Sequence, residues 1–189
     1  MQLHELRTLA RGTGMGEARR LLGDGFGGVF QTEVGTAGEI VIIRPYVFGQ
    51  DARQSSGRGR LEGSMSGSHS VELLEPAPYM RELGPREIGK VWELSWLDFP
   101  TGGAGKAITA LGVALPARER HYPIVGVWSV DTGFALDRVY LLAPYRDWMH
   151  RHEVQDALRT EGAWPPALPV KALSGGSKLL VPAGISGLK

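Results

Sequence analysis

The chain is predicted to be an α+β protein of two β-α-β-β-α-β units in tandem, packed sheet to sheet as a pseudo-symmetric barrel. Two observations predict it. First, three segments of the first half return in the same order in the second: Leu3-His-Glu-Leu-Arg7 as Val91-Trp-Glu-Leu-Ser95, Ile40-Val-Ile-Ile-Arg-Pro-Tyr46 as Val139-Tyr-Leu-Leu-Ala-Pro-Tyr145, and Glu72-Leu-Leu-Glu-Pro-Ala77 as Lys178-Leu-Leu-Val-Pro-Ala183. Second, the offset between matched residues only rises, from 88 at Glu5 and Glu93 to 99 at Pro45 and Pro144 and 106 at Leu73 and Leu179. A collinear repeat of this length is the signature of one supersecondary unit used twice.

Each element follows from local pattern. Residues 2–10 and 90–98 read as strands, with aliphatic and aromatic residues at short spacing. The glycine turns Gly12-Thr-Gly-Met-Gly16 and Thr101-Gly-Gly-Ala-Gly105 lead into helices at 16–23 and 104–120. Strands are expected at 28–35 and 124–131, then at 39–45 and 136–143, with hairpins between them. The last two strands of that set are continuous apolar runs and belong in the middle of a sheet. Segments 50–63 and 147–161 are helix candidates; Trp148, Val154, Ala157 and Leu158 form an apolar side on the second. The glycine- and serine-rich first one is a poor helix by propensity. Residues 70–75 and 177–181 complete the units, each stopped by Pro-Ala. The unit is the split βαβ, or ferredoxin-like, arrangement. Its expected bounds are 1–78 and 90–184, joined by a linker at 79–89 and followed by a tail at 185–189. Two insertions distinguish the second unit, nine residues around 114–123 and seven between Trp164 and Gly176.

A four-stranded sheet covered on one side leaves an apolar face too large for water. Packing two such faces together removes both from solvent and is expected to leave a ligand cavity between the sheets.

Composition narrows the function classes. The 189 residues carry a net charge of +1, which gives no reason to expect a nucleic-acid or membrane partner. Cysteine is absent, so thiolate metal sites and cysteine nucleophiles are excluded and no disulfide is possible. No apolar run approaches the roughly 20 residues that span a bilayer, and Met1-Gln-Leu-His-Glu-Leu-Arg7 does not read as a secretory signal. A cytoplasmic protein, monomeric or homodimeric, is the expectation.

The His4-Glu-Leu-Arg-Thr8 strand with its glycine turn, the Val125-Gly-Val-Trp128 strand, Leu141-Leu-Ala-Pro-Tyr145, the Trp148 helix and Leu179-Leu-Val-Pro-Ala183 together resemble the NIPSNAP family. The resemblance covers nearly the whole chain, once per half. It implies membership of the dimeric α+β barrel superfamily of ferredoxin-like units, which holds antibiotic-biosynthesis monooxygenases, haem-degrading enzymes, muconolactone-type isomerases and polyketide cyclases. It fixes no single reaction, since fold alone does not supply one.

The candidate residues are those a cavity between the sheets would use. Glu5 and Glu93 occupy matched positions; if their face lines that cavity, either could act as a general base, and otherwise each pairs with a nearby arginine. Arg7 and Arg44 are the natural partners and candidate anion binders, and their counterparts Ser95 and Ala143 carry no charge. Tyr46 and Tyr145 could orient a ligand or close the core. Trp92 and Trp128 are candidate cavity walls. His121 and Tyr122 lie in the insertion unique to the second half, where a histidine suits proton transfer. His150-Arg-His152-Glu153 is no metal motif, because residues two apart on a helix point about 200° apart. Gly12-Thr-Gly-Met-Gly16 lacks the dinucleotide spacing. No metal or cofactor is expected. The expected function is a small-molecule enzyme carrying out cyclase- or isomerase-type proton transfer on an apolar substrate. The alternatives are a non-catalytic binding or interaction module, a cofactor-free monooxygenase, and a haem-binding protein. The asymmetry between the halves points to at most one working pocket, biased toward the second.

Overall fold

The structure, a computed structural model, describes residues 2–46 and 69–189. Among these, the first half supplies β1 (His4–Leu9), α1 (Met15–Leu22), β2 (Gly28–Val34), β3 (Ile40–Pro45) and β4 (His69–Pro76). The second supplies β5 (Val91–Asp98), α2 (Gly103–Glu119), β6 (Gly126–Thr132), β7 (Arg138–Tyr145), α3 (Trp148–Thr160) and β8 (Ser174–Pro182). The helix anticipated over 50–63 lies outside the described residues. Helix α2 has 17 residues against 8 in α1, so the nine-residue insertion is spent on lengthening this helix.

The strands close into a barrel in the order β1-β3-β2-β8-β5-β7-β6-β4. Within each half the order is fourth-first-third-second, that of a ferredoxin-like sheet. Two seams join the halves: β2 pairs with β8 and β4 pairs with β6, both antiparallel. Every edge strand of one unit thus finds an edge of the other, and no row of backbone groups is left open. The fold is the tandem α+β barrel that the repeat predicts.

Strand alternation sorts the side chains into two sets. Leu6, Phe30, Val41, Leu74, Trp92, Trp128, Leu142 and Leu180, one from each strand, form a single buried cluster inside the barrel. Phe30 and Trp92 meet across it with ring centroids 5.4 Å apart. The large rings need missing side chains beside them. A Cβ at Gly126 would lie 1.7 Å from the Trp128 ring, and one at Gly28 would lie 2.6 Å from the Phe30 ring. Each half therefore carries a glycine two positions before the aromatic residue of its second strand. One end of the barrel is plugged by Leu83 and Leu188, which are 5% and 0% exposed. The segment 185–189, read from sequence as a tail, is held there: Arg86 accepts from and donates to its backbone.

This packing corrects two expectations. The space between the sheets is not an open ligand cavity, because it is filled by side chains except for about 240 Å³ at the end opposite the plug. Trp92 and Trp128, expected as cavity walls for a substrate, are 0% and 2% exposed core residues. Trp92 donates its indole N–H to the Gly89 carbonyl at 2.9 Å, and Trp128 donates to Nδ1 of His4 at 3.2 Å.

The outer face carries the helices. Ala104, Ala107, Ile108 and Leu111 of α2 pack on Val127, Val139 and Leu141, and Val154 and Leu158 of α3 pack on Val91 and Tyr145. Ala18 of the short α1 packs on Leu9, Val29 and Ile42. Helix α3 starts where Asp147 accepts the His150 backbone N–H at 2.8 Å, an N-cap bond that satisfies one of the free donors of the first turn.

Trp92→Ala should cost about 3–5 kcal/mol in urea unfolding, the range for removing a large aromatic from a packed core. A second outcome concerns pH. Burial holds the His4 imidazole neutral in the folded chain, lowering its pKa to about 4. The unfolded chain takes up that proton near pH 6.5, so the folded state binds fewer protons between pH 6.5 and pH 4. Stability therefore falls as the pH drops through that window and levels below it. Thermal unfolding of His4→Asn should lose this component of the slope.

Candidate functional site

The two conserved-position glutamates of the repeat both point away from the barrel interior, toward the helix side of their sheets. Three strands separate β1 from β5 around the barrel, so Glu5 and Glu93 cannot share a proton or a ligand. The expectation that they line one inter-sheet cavity is corrected. Their surroundings differ in a way that creates a site in only one half.

In the first half Glu5 is 3% exposed and pairs with Arg7 at 2.7 Å and Arg44 at 2.9 Å. Arg7 lies two residues along the same strand, and Arg44 is the cross-strand partner of Glu5 on β3. The arginine stems cover the outer face there. In the second half these positions are Ser95 and Ala143, and Ala143 is the cross-strand partner of Glu93. With no arginine beside it on the sheet, Glu93 takes its partners from the helix above. Arg151 of α3 grips it at 2.8 and 3.1 Å, and Gln155 donates at 3.3 Å.

The volume left by the two small residues is a pocket of about 320 Å³ between the outer face of β5, β7 and β8 and the helices. Leu97, Leu111, Ile124 and Leu141 form apolar walls, and Trp164, Pro165 and Leu168, from the second insertion, close one side. Its polar floor is Glu93, Tyr145, Arg118 and Gln155. The Tyr145 hydroxyl sits 3.3 Å from Glu93, 3.2 Å from the Gln155 amide and 3.4 Å from Arg118 Nη2. Arg118 is 2% exposed, donates to the Tyr122 carbonyl, and makes no ion pair with a carboxylate among the described residues. Burying a guanidinium without a directly bound anion is costly. The network of Arg118, Arg151 and Glu93 carries one net positive charge. Burial, and then the Glu93 charge, raise the Tyr145 pKa, so the phenol keeps its proton near neutral pH. The floor thus presents a neutral O–H donor beside a buried cation. This is a pair suited to an oxygen that carries or develops negative charge.

The other candidates lie elsewhere. His121 stands at the end of α2 and meets Glu161 at 3.0 Å on the exposed side, away from the pocket. Tyr122 donates to the Ile88 carbonyl at 2.6 Å and ties the insertion to the linker. Tyr46 follows the end of β3, its backbone N–H on the Leu3 carbonyl at 2.8 Å. Of the candidate set, Glu5, Arg7 and Arg44 meet in the first half, and only Glu93 and Tyr145 come together in this pocket. Arg118, Arg151, Gln155 and Trp164 complete their surroundings without having been singled out from sequence. The available signal was the exchange of Arg7 and Arg44 for Ser95 and Ala143, which marks where a sheet face loses its cover. No group of three or more acidic, histidine or cysteine side chains able to hold a metal ion occurs among the described residues. No helix among them is long and apolar enough to cross a membrane.

No family model matches the chain, and no curated protein matches it in sequence. Solved structures do match in fold. An anthrone oxidase-like protein, 14% identical, aligns over 96% of this chain and 91% of its own with a TM-score of 0.64. A candidate monooxygenase of Lactobacillus acidophilus NCFM, 12% identical, aligns over 96% of this chain and 93% of its own at 0.57. A NIPSNAP domain protein of Burkholderia xenovorans, 21% identical, covers 50% of this chain at a TM-score of 0.45, too low to carry an argument. At these identities the chain shares with the first two a fold, the α+β barrel.

Proposed function

We propose that the chain is a NIPSNAP-like small-molecule enzyme of the cytoplasm, working in the outer pocket of its second half. Its reaction is proton transfer on a compact, mostly apolar ketone or phenol. The observation that carries this reading is the floor where Tyr145 and the buried Arg118 converge beside Glu93, under walls of Leu97, Leu111, Ile124 and Leu141. A ligand carbonyl seated there accepts from Tyr145 and faces the Arg118 cation. Both interactions strengthen as the carbonyl becomes an enolate, which is the condition for lowering a barrier rather than only binding. When Tyr145 turns its proton to the ligand, the Glu93 oxygen it leaves takes the proton from the carbon next to the carbonyl. Arg151 and Gln155 hold Glu93 in place. Return of that proton to another carbon completes an isomerisation, and attack by the enolate on a second carbonyl completes a cyclisation.

A second reading uses the same first step. An enolate of an electron-rich aromatic ketone can be oxidised by dioxygen without a cofactor, and the fold likeness to an anthrone oxidase-like protein makes anthrone the natural probe. Anthrone carries a ketone and an acidic CH₂ in one flat ring system.

Exchange of the anthrone CH₂ protons with D₂O, followed by NMR without oxygen, should be accelerated by the protein. Tyr145→Phe should lose about 10²-fold of that rate, the lower end for one positioned acid or base. Ala143→Arg, which returns to the second half the side chain that covers the first, should abolish binding with the barrel intact. Binding without faster exchange would overturn the enzyme reading in favour of a binding module. Oxygen uptake in air, lost together with exchange in Tyr145→Phe, would establish the oxidative variant.

A further inference from the structure

The 240 Å³ space at the open end of the barrel is separate from the outer pocket and is built from charged groups that the pseudo-twofold repeat places in pairs. Glu39, at the start of β3, matches Arg138 at the start of β7, because the segments they open, Ile40–Tyr46 and Val139–Tyr145, are repeat partners. Glu72 on β4 matches Lys178 on β8 in the same way. All four line this cavity. One diagonal pair is made: Lys178 Nζ binds Glu39 at 2.5 Å. The equivalent pair, Arg138 with Glu72, has the charges reversed and is not made. Asp98, whose counterpart in the first half is Ala10, captures Arg138 through two bonds of 2.6 and 3.1 Å.

What remains for Glu72 is a single hydrogen bond. Arg138 Nη1 donates to the Tyr140 hydroxyl at 3.1 Å, and the hydroxyl donates its one proton to Glu72 Oε2 at 2.6 Å. Burial, followed by the bond to Glu72, pushes the Tyr140 pKa up, so the phenol keeps its proton near neutral pH and donates it. Glu72 is 7% exposed and its Oε1 has no partner. Gly133 packs against this side chain, and a Cβ there would stand 2.9 Å from Oε1, so the oxygen is closed in by backbone that offers it no hydrogen bond. The charged groups here are Glu39, Glu72 and Asp98 against Arg138 and Lys178, a net of one negative charge. A carboxylate oxygen buried without a donor is left without the solvation it had in water. Metal ligation does not answer it, since no group of three metal-binding side chains forms among the described residues. The rest of the wall is mostly apolar or aromatic, Leu6, Leu94, Trp96 and Phe134, the last 93% exposed at the rim, with Thr8 and Ser70 as its other polar residues.

We propose that this end of the barrel is a binding site for a small arylalkyl ammonium, its N–H groups on the under-satisfied Glu72 carboxylate and its ring against Leu94, Trp96 and Phe134. The volume admits only a small ligand, being below the ~300–1,000 Å³ of most ligand pockets. The ammonium supplies the charge that Arg138 would have given Glu72 had Asp98 not taken it. Asp98 is thus a positioning residue for the site, acting by withholding Arg138.

Isothermal titration of the full chain with 2-phenylethylamine at pH 7 tests this. Binding is expected, and 2-phenylethanol, which has the same shape but no charge, should bind at least about tenfold more weakly, as loss of a charge-assisted hydrogen bond implies. Glu72→Gln should show the same loss. Asp98→Asn, which frees Arg138 to turn to Glu72, should also weaken the amine, and it serves should Glu72→Gln fail to fold. Phe134→Ala, a change at an exposed position, should weaken binding without altering thermal unfolding. Tyr145→Phe should leave it unchanged, which separates this site from the outer pocket. No heat with the wild-type chain, equal affinity for amine and alcohol, or unaltered amine binding in both Glu72→Gln and Asp98→Asn would overturn the proposal.

Discussion

Edge-to-edge closure of two twisted sheets is the constraint on which the rest of this structure depends. Each half alone would leave β2 or β6 and β4 or β8 as open edges, and one apolar face in water. The β2–β8 and β4–β6 seams remove all four edges at once and turn the two bare faces into one interior. Because the seams join the second strand of one unit to the fourth of the other, the units depend on each other for both backbone pairing and burial. The interior is then filled from all eight strands, with glycines at 28 and 126 making room for the rings of Phe30 and Trp128.

Filling the interior moves function to its margins. Two of the spaces that remain arise where the repeat is imperfect. On the outer face, the change from Arg7 and Arg44 to Ser95 and Ala143 uncovers the sheet beneath α2 and α3 and hands Glu93 to Arg151 and Gln155. At the open barrel end, Asp98 draws Arg138 away from the position symmetric to the Glu39–Lys178 pair and leaves half of Glu72 without a donor. Duplication builds a stable, saturated scaffold, and each departure from it creates a local excess of charge. The outer pocket carries one net positive charge and the barrel end one net negative charge, so the two would select ligands of opposite kinds.

Much of this architecture is legible in the sequence. The strand segments, the long second helix, the two insertions and the pairing of Glu5 with Arg7 and Arg44 follow from spacing and chemistry. The loss of sheet arginines beside Glu93 was visible in Ser95 and Ala143. Arg118 was not legible: it sits in the same insertion as His121 and Tyr122, and nothing local distinguishes a buried guanidinium from an exposed one on a helix. His121 looked the better candidate by chemistry, yet α2 runs on long enough to carry it past the pocket to Glu161.

The amino-acid order by itself determined the unit, its duplication and the succession of strands and helices, because these rest on short-range periodicity and on matches between distant segments. It did not determine which face of each strand turns inward. Both faces of β1, β5 and β7 carry large apolar residues, one set for the barrel and one for the helices, so a period of two has no sign. Only closure of the sheets, which admits the rings of Phe30, Trp92 and Trp128 on one side, sends Glu5 and Glu93 to the other. That choice, made by packing volume and backbone pairing over the whole chain, decided which residues could meet a ligand.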